Sequence, residues 1–412
     1  MNRVAAIFRA LKYRNFRLFF PGLMVAQIGI WIQNISISWV VYDMTKSPFI
    51  MGTIMFLGAL PLFLLTPFAG VLIDKFSKHK LLMLIQILYM IQAFLISALT
   101  LSHHVQLWSI TLLAVFLNII AAVDGPLRQS MYVDLVDDKH DLGNAIALNA
   151  TCFNVARLVG PAVAGVLLAT VGAGMCFFIN FLCFIPVTIL VAQLRFKEEK
   201  SGNIQNETII EGLLEGVDYV SKSPSIAILL VYIALISFLA MTYPMLMPIY
   251  TTEVLHENAK TLGLLMSVAG VGALMTSLVL AAKSTIRGLN ILLALASLFF
   301  GAGFVMLGVT HTETIALVAM FLIGLGTIGA LTPASTLLQS VVNNDMRVRV
   351  MSLHFICYLG TLSISNFFAG SITHALGISK ALVVLGVVLT VVSFIFLNKL
   401  RKINYVPVYE KE

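Results

Sequence analysis

Charge is scarce in this chain: Asp, Glu, Lys and Arg together make up 11% of 412 residues, against 59% that are hydrophobic. Cysteine is nearly absent. The four present, Cys152, Cys176, Cys183 and Cys357, match no zinc-ligand spacing and all fall inside apolar stretches. They read as small packing residues, not as a disulfide framework. No Gly-x-x-x-x-Gly-Lys-Ser/Thr stretch occurs, which argues against a pump driven in cis by nucleotide. Of the eight histidines only the adjacent pair His103-His104 lies at close spacing, and neighbours in one short loop are poorly placed to chelate one ion. No metal, no cofactor and no enzyme active site is therefore expected.

Long apolar runs are what the chain has in abundance, with a mean hydropathy of +0.97. A helix needs about 20 mostly apolar residues to cross a bilayer. Twelve such spans fit without overlap, near 18–42, 48–73, 81–101, 106–125, 141–172, 174–195, 224–251, 258–282, 289–309, 314–333, 348–374 and 379–398. The expectation is an all-α membrane protein of twelve transmembrane helices, with no soluble domain left over. Basic residues set the orientation. With the N-terminus in the cytoplasm, inner segments hold 22 of the 26 Lys and Arg residues, and only Lys46, Lys260 and Lys380 lie outside. The positive-inside bias thus puts both termini in the cytoplasm. The net charge of +7 follows from that topology and gives no argument for nucleic acid. The basic leader runs into an apolar stretch longer than a signal core of about 7–15 residues, so no cleaved signal peptide is expected.

Only one connection is long. Residues 196–223 separate six spans from six, giving an N-terminal bundle over 1–195, a polar linker, and a C-terminal bundle over 224–412. In the linker Glu207, Glu211 and Glu215 recur every four residues, while Ile210, Leu213, Leu214 and Val217 fill the other side. That pattern is an amphipathic helix, expected to pack beneath the bundles. The halves read as diverged copies. Pro126, Val136-Asp137-Asp138 and Ala164-Gly165 reappear as Pro333, Val342-Asn343-Asn344 and Ala369-Gly370, at offsets of 207, 206 and 205. Repeats of this kind let transporters build two bundles that rock about a central site.

After span 2 the chain reads Gly70-Val-Leu-Ile-Asp74-Lys75-Phe-Ser77-Lys78-His79-Lys80. The small residue lets two helix ends approach, and an acid beside a basic cluster can latch onto a neighbouring helix end. Span 5 carries Gly160-Pro161-Ala-Val-Ala164-Gly165. Small residues at these intervals let helices touch backbone to backbone, and Pro161 favours a bend.

The first stretch resembles the Gly-x-x-x-Asp-Arg-x-Gly-Arg-Arg signature of the major facilitator superfamily, with Ser77 for the second Gly and His79 for one basic residue. The second is similar to the Gly-Pro-x-x-Gly-Gly antiporter motif of drug and metabolite exporters, with Ala164 for one Gly. Asp124-Gly-Pro126-Leu-Arg128-Gln129, Leu142-Gly-Asn144, Asn154-Val-Ala-Arg157 and Tyr42-Asp43 together resemble the bacterial branch that holds the enterobactin exporter and macrolide efflux pumps. The resemblance implies two six-helix bundles in a bacterial inner membrane and a cavity lined by spans 1, 4, 7 and 10. It also implies a conformational latch of Gly70, Asp74, Lys75, Lys78 and Lys80, with Asp74 facing the start of span 11.

Ionisable groups inside a bilayer are costly and are functional candidates by default. Asp124 and Arg157 lie roughly 24 and 22 Å from the outer ends of spans 4 and 5 at the helical rise. Similar depth suggests an Asp124–Arg157 ion pair, with Arg128 one turn beyond Asp124. Two readings stand: a fixed structural bridge, or a proton-sensitive pair, since protonating the acid releases the arginine. On span 1, Gln27, Trp31, Asn34 and Ser38 follow at intervals of 4, 3 and 4, one helix face that is expected to be cavity wall. Span 11 repeats the pattern with His354, Tyr358, Thr361 and Ser365, which adds His354 and Tyr358 to the candidate cavity. A buried, hydrogen-bonded histidine is the commoner case. No acid sits mid-cavity on spans 1, 7 or 10, so the coupling ion stays open, with the proton as candidate.

These features read as a secondary active transporter, a monomer in lipid that exports a small amphipathic metabolite, siderophore or drug by alternating access. Import of a nutrient or lysolipid is the alternative and predicts accumulation of labelled cargo in energised cells. A membrane enzyme is the competing reading from another class.

Overall fold

A computed structural model describes residues 9–136, 138–194, 209–283 and 288–402. All twelve expected spans are helices: Arg14–Thr45, Pro48–Phe68, Lys78–Leu101, Leu107–Leu135, Leu142–Thr170, Ala173–Ala192, Pro224–Glu253, Ala259–Ala282, Leu289–Val309, Glu313–Val341, Arg347–Leu376 and Ile378–Leu397. The chain is therefore a multi-pass membrane protein. Its helices turn large apolar side chains outward and bury several polar ones within an otherwise apolar core. In span 3, Leu84, Ile87, Ile91, Phe94 and Leu95 are exposed while Gln86, Tyr89, Gln92 and Ser97 are buried. Helices satisfy their own backbone in lipid, so the polar side chains must find partners inside.

The repeat is visible element by element. Spans 4 and 10 each run 29 residues, and both of their ends are offset by 206, from Leu107 to Glu313 and from Leu135 to Val341. Short 3-10 turns, Lys139–Asp141 and Asn344–Met346, lead into spans 5 and 11. Gly172 and Gly377, 205 apart, then turn the chain into spans 6 and 12 with φ of 82° and 80°. Only glycine adopts that left-handed conformation without strain.

Two compact units result, Met1–Met44 with Leu57–Gln205 and Thr45–Phe56 with Asn206–Glu412. The division differs from the expected cut: the linker is shared between the units, and the first turns of span 2 group with unit 2. There Gly52 packs onto span 11, so that a Cβ on it would stand 2.6 Å from the Asn366 carbonyl oxygen and 2.9 Å from the Gly370 Cα. Unit 1 is tied internally by a chain of buried amides. Asn180 Nδ2 donates to Gln33 Oε1 at 2.7 Å, Gln33 Nε2 to Gln92 Oε1 at 2.9 Å, and Gln92 Nε2 to the Leu113 carbonyl at 3.2 Å. Spans 1, 3, 4 and 6 are joined by these three bonds.

In unit 2, span 7 breaks at Met241 and Thr242 into Pro224–Ala240 and Tyr243–Glu253. Span 11 contains a wide π turn at Ile356–Gly360. The linker helix covers Ile209–Ser221; residues 196–208, including Glu207, and the side chain of Ile210 lie outside the described residues. It packs on the start of span 11, with Arg349 Nη2 2.8 Å from Glu215 Oε2 and Gly216 against Arg349 and Leu353. The expected apolar face needs correction. Tyr219 and Val220 join the unit 2 core, whereas Leu214 and Val217 are exposed. The two glycines, Gly212 and Gly216, permit the closest approach to Arg349, and that approach sets the rotation of the helix.

Candidate functional site

Trp31 lies midway along span 1, half-buried, with Asn34 exposed one turn on. Gly160 of span 5 abuts it: a Cβ on the glycine would overlap the Trp31 Cβ. One turn back along span 5, the Arg157 guanidinium lies over the Trp31 ring at 5.7 Å from its centroid. A cation on an indole face is attracted by the ring quadrupole, more strongly where water is excluded. The expected span 1 stripe thus divides. Trp31 and Asn34 are accessible, whereas Gln27 and Ser38 are buried, and Ser38 Oγ donates to the Asn34 carbonyl at 3.0 Å. Pro161, Ala164 and Gly165 are buried beside Gly160.

The expected Asp124–Arg157 pair is not formed. Asp124 is bound along its own helix by Arg128, whose Nε donates to Asp124 Oδ1 at 2.7 Å, and Tyr89 Oη approaches Oδ2 at 3.5 Å. Similar depth does not fix direction. Span 4 turns Asp124 toward span 3, and a partner four residues away on the same helix is already in reach. Both charges are over nine-tenths buried, and the Phe19 ring lies 5.6 Å from the Arg128 guanidinium. Arg128 Nη1 and Nη2 have no hydrogen-bond partner among the described residues, and neither does either amide atom of the fully buried Gln86. Spans 3 and 4 are antiparallel, with Tyr89 level with Asp124 and Lys78 level with Asp134. That register sets Gln86 level with Arg128, so four unpartnered polar atoms share one layer.

Of the latch residues, Lys78 is engaged inside unit 1: its Nζ lies 2.7 Å from Asp134 Oδ2 and donates to the Ser130 carbonyl at 3.3 Å. Lys75 and Lys80 are exposed. The Asp74 side chain lies outside the described residues. At Gly70 the expectation of a close helix approach is corrected, since a Cβ there would meet nothing within 4 Å among the described residues.

A cluster missed in the sequence lies where the leader meets span 5. Asp141, 3% exposed, receives Lys12 Nζ at 2.6 Å, Arg9 Nε at 3.6 Å and the Tyr13 hydroxyl at 3.0 Å. Asn144 Oδ1 accepts from the Ala10 backbone N–H at 2.9 Å. The bond from Lys12 holds the Asp141 carboxyl below the usual carboxylate range, and Asp141 raises the Lys12 ammonium in return. A basic leader and an acidic loop, Asp137, Asp138 and Asp141, were the available signal.

In unit 2, His354 is buried, its Nδ1 has no partner among the described residues, and its ring meets Phe355 edge-on at 5.5 Å. The π turn follows directly. Within it the Tyr358 carbonyl accepts from Ser237 Oγ at 2.8 Å, which ties spans 7 and 11. Wide turns of this kind recur at functional sites. Among the described residues no group of three or more His, Cys, Asp or Glu side chains is arranged to hold a metal.

Residues 5–408 match a family described as transmembrane secretion effector. The staphyloferrin A transporter of Staphylococcus aureus is 26% identical, with 94% of this chain and 97% of that one covered. The multidrug efflux pump Tap of Mycolicibacterium fortuitum is 22% identical over 92% and 95%. Among solved structures, the nucleoside transporter NupG superposes with a TM-score of 0.72 at 12% identity, covering 95% of this chain and 99% of its own. A bacterial homolog of the human lysosomal transporter Spinster gives 0.71 at 14% identity, covering 94% and 97%. At such identities the two structures establish a shared fold.

Proposed function

The chain belongs to the transmembrane secretion effector family of major facilitator transporters, and on that premise we propose that it exports a small amphipathic metabolite, siderophore or drug across the bacterial inner membrane by alternating access. Both termini are cytoplasmic in this reading, and the proton is the coupling ion. The observation that carries it is the contact of Gly160 with Trp31 beneath Arg157. It joins the antiporter-like motif of span 5 to an accessible aromatic in span 1, so that a bend at Pro161 is felt at the ring. Cargo contacts Trp31 and Asn34, and the Asp124–Arg128 pair, buried against Tyr89, takes part in coupling. The names of two relatives, a siderophore transporter and a drug efflux pump, favour export. The test is loss of labelled siderophores and amphipathic drugs from cells lacking the protein and from cells expressing it, with and without an uncoupler. Export predicts faster loss on expression, abolished by the uncoupler. Accumulation in energised cells would mean import.

A further inference from the structure

The interior of unit 1 holds a polar layer that its own side chains leave unfinished. Tyr89 Oη meets Asp124 Oδ2 across spans 3 and 4. Gln86 lies three residues before Tyr89, and Arg128 four after Asp124, so each shares the helix face that makes this contact. Because the two spans are antiparallel, Gln86 and Arg128 stand at one level. Gln86 is 0% exposed and Arg128 5%. Apolar side chains enclose them: Leu82, Ile85, Leu127 and Met131 belong to the same core, and the Phe19 ring covers the guanidinium at 5.6 Å.

Buried polar groups without partners are expensive. The two outer nitrogens of a guanidinium carry four N–H donors, and an amide adds two donors and one acceptor oxygen. The guanidinium and the amide oxygen are complementary, yet they do not bond. Arg128 Nη1 and Nη2 and both amide atoms of Gln86 are without a partner among the described residues. More than hydrogen-bond distance therefore separates Gln86 from Arg128. A gap between two buried polar groups is the setting in which a water bridges them. Water also adds no charge. Asp124 and Arg128 already cancel, and an anion in the layer would leave a net negative charge, which is costly in hydrocarbon. We propose that spans 3 and 4 hold a buried water site between Gln86 and the outer edge of the Arg128 guanidinium, with Gln86 as its positioning residue. When the 2.7 Å bond between Arg128 and Asp124 lengthens, this water takes over the freed N–H groups, so the pair can part without being left bare. The site does not depend on which cargo moves or in which direction.

The test is X-ray radiolysis of the purified full chain in isotope-labelled water, read by mass spectrometry. Radicals formed from a bound water hydroxylate the rings beside it. Tyr89 and Tyr132 flank the layer, the second one turn past Arg128, and are 3% and 5% exposed. Tyr232 and Tyr250 are the controls, both fully buried with their hydroxyls bonded inside the protein. Tyr89 and Tyr132 should take up the isotope, and the controls should not. Gln86→Leu should lose the Tyr89 label and unfold at a lower temperature, since it strands the Arg128 N–H groups. Labelling of Tyr89 and Tyr132 as slow as that of the controls would mean a dry layer and overturn the site. So would a higher unfolding temperature in Gln86→Leu, the result expected when an unsatisfied amide is removed from a dry core. A wild-type unfolding temperature that rises with chloride at constant ionic strength, and does not in Gln86→Leu, would mean an anion in place of water. If Gln86→Leu fails to fold, the labelling of the wild-type chain decides.

Discussion

Gly160 and Trp31 meet across spans 5 and 1, so close that one added methyl group on the glycine would overlap the tryptophan Cβ. Gly160→Ala should therefore force the helices apart or turn the indole out from under Arg157. Overpacking of this sort costs about 1–3 kcal/mol. The expected outcome is a lower unfolding temperature and lost transport with normal membrane insertion. Unchanged transport in a stable Gly160→Ala protein would remove this contact from the mechanism.

Asp124 and Arg128 form a buried pair, and removing one partner of such a pair costs about 3–5 kcal/mol. Asp124→Asn and Arg128→Gln should each destabilise the protein more than the two together. Thermal unfolding of the four chains checks this. If the double variant regains stability but not uncoupler-sensitive export, the pair takes part in coupling; if it regains both, the pair is a structural bridge.

The Asp141 cluster should respond to pH at both ends of the scale. A carboxyl held below its ordinary value contributes stability that is present above the unfolded value of about 3.9 and lost as pH falls through the lower folded value. The raised Lys12 contributes below its unfolded value of about 10.4 and fades as pH rises beyond it. The leader should thus stay docked between those limits. Trypsin cleavage at Arg9 and Lys12 reports undocking: Asp141→Asn should speed it at neutral pH. An unchanged cleavage rate would mean that the ion pairs do not hold the leader.

Asp74→Asn should slow transport and leave insertion intact, because the ordered acid and basic residues after span 2 act as a latch in the proposed cycle. Accessibility of each membrane face to a charged thiol reagent reads the outcome. Normal rates with normal accessibility would leave Asp74 without that role.

The spans were legible because lipid reduces the problem to length and hydropathy, but their ends were less so. Spans 4 and 10 continue to Leu135 and Val341, past the expected ends at 125 and 333, because a helix does not stop where its surface turns polar. The break at Met241 and the π turn at Ile356–Gly360 leave no mark in hydropathy. The stripe with Trp31 and the motif with Gly160 were each readable from spacing; that they touch was not, since periodicity gives a face and never its neighbour. The same gap produced the expected Asp124–Arg157 pair, in which equal depth stood in for facing direction. Asp141 escaped notice because spacing alone does not mark which loop acid the leader will cover.

The most direct test of the central claim is cargo movement in membrane vesicles of the two orientations, with wild type and Trp31→Ala at equal abundance. An exporter whose cargo rests on Trp31 accumulates an active siderophore or drug in energised inside-out vesicles, not in right-side-out ones, and loses that activity in Trp31→Ala. Accumulation in right-side-out vesicles, or undiminished activity without the Trp31 indole, would contradict it.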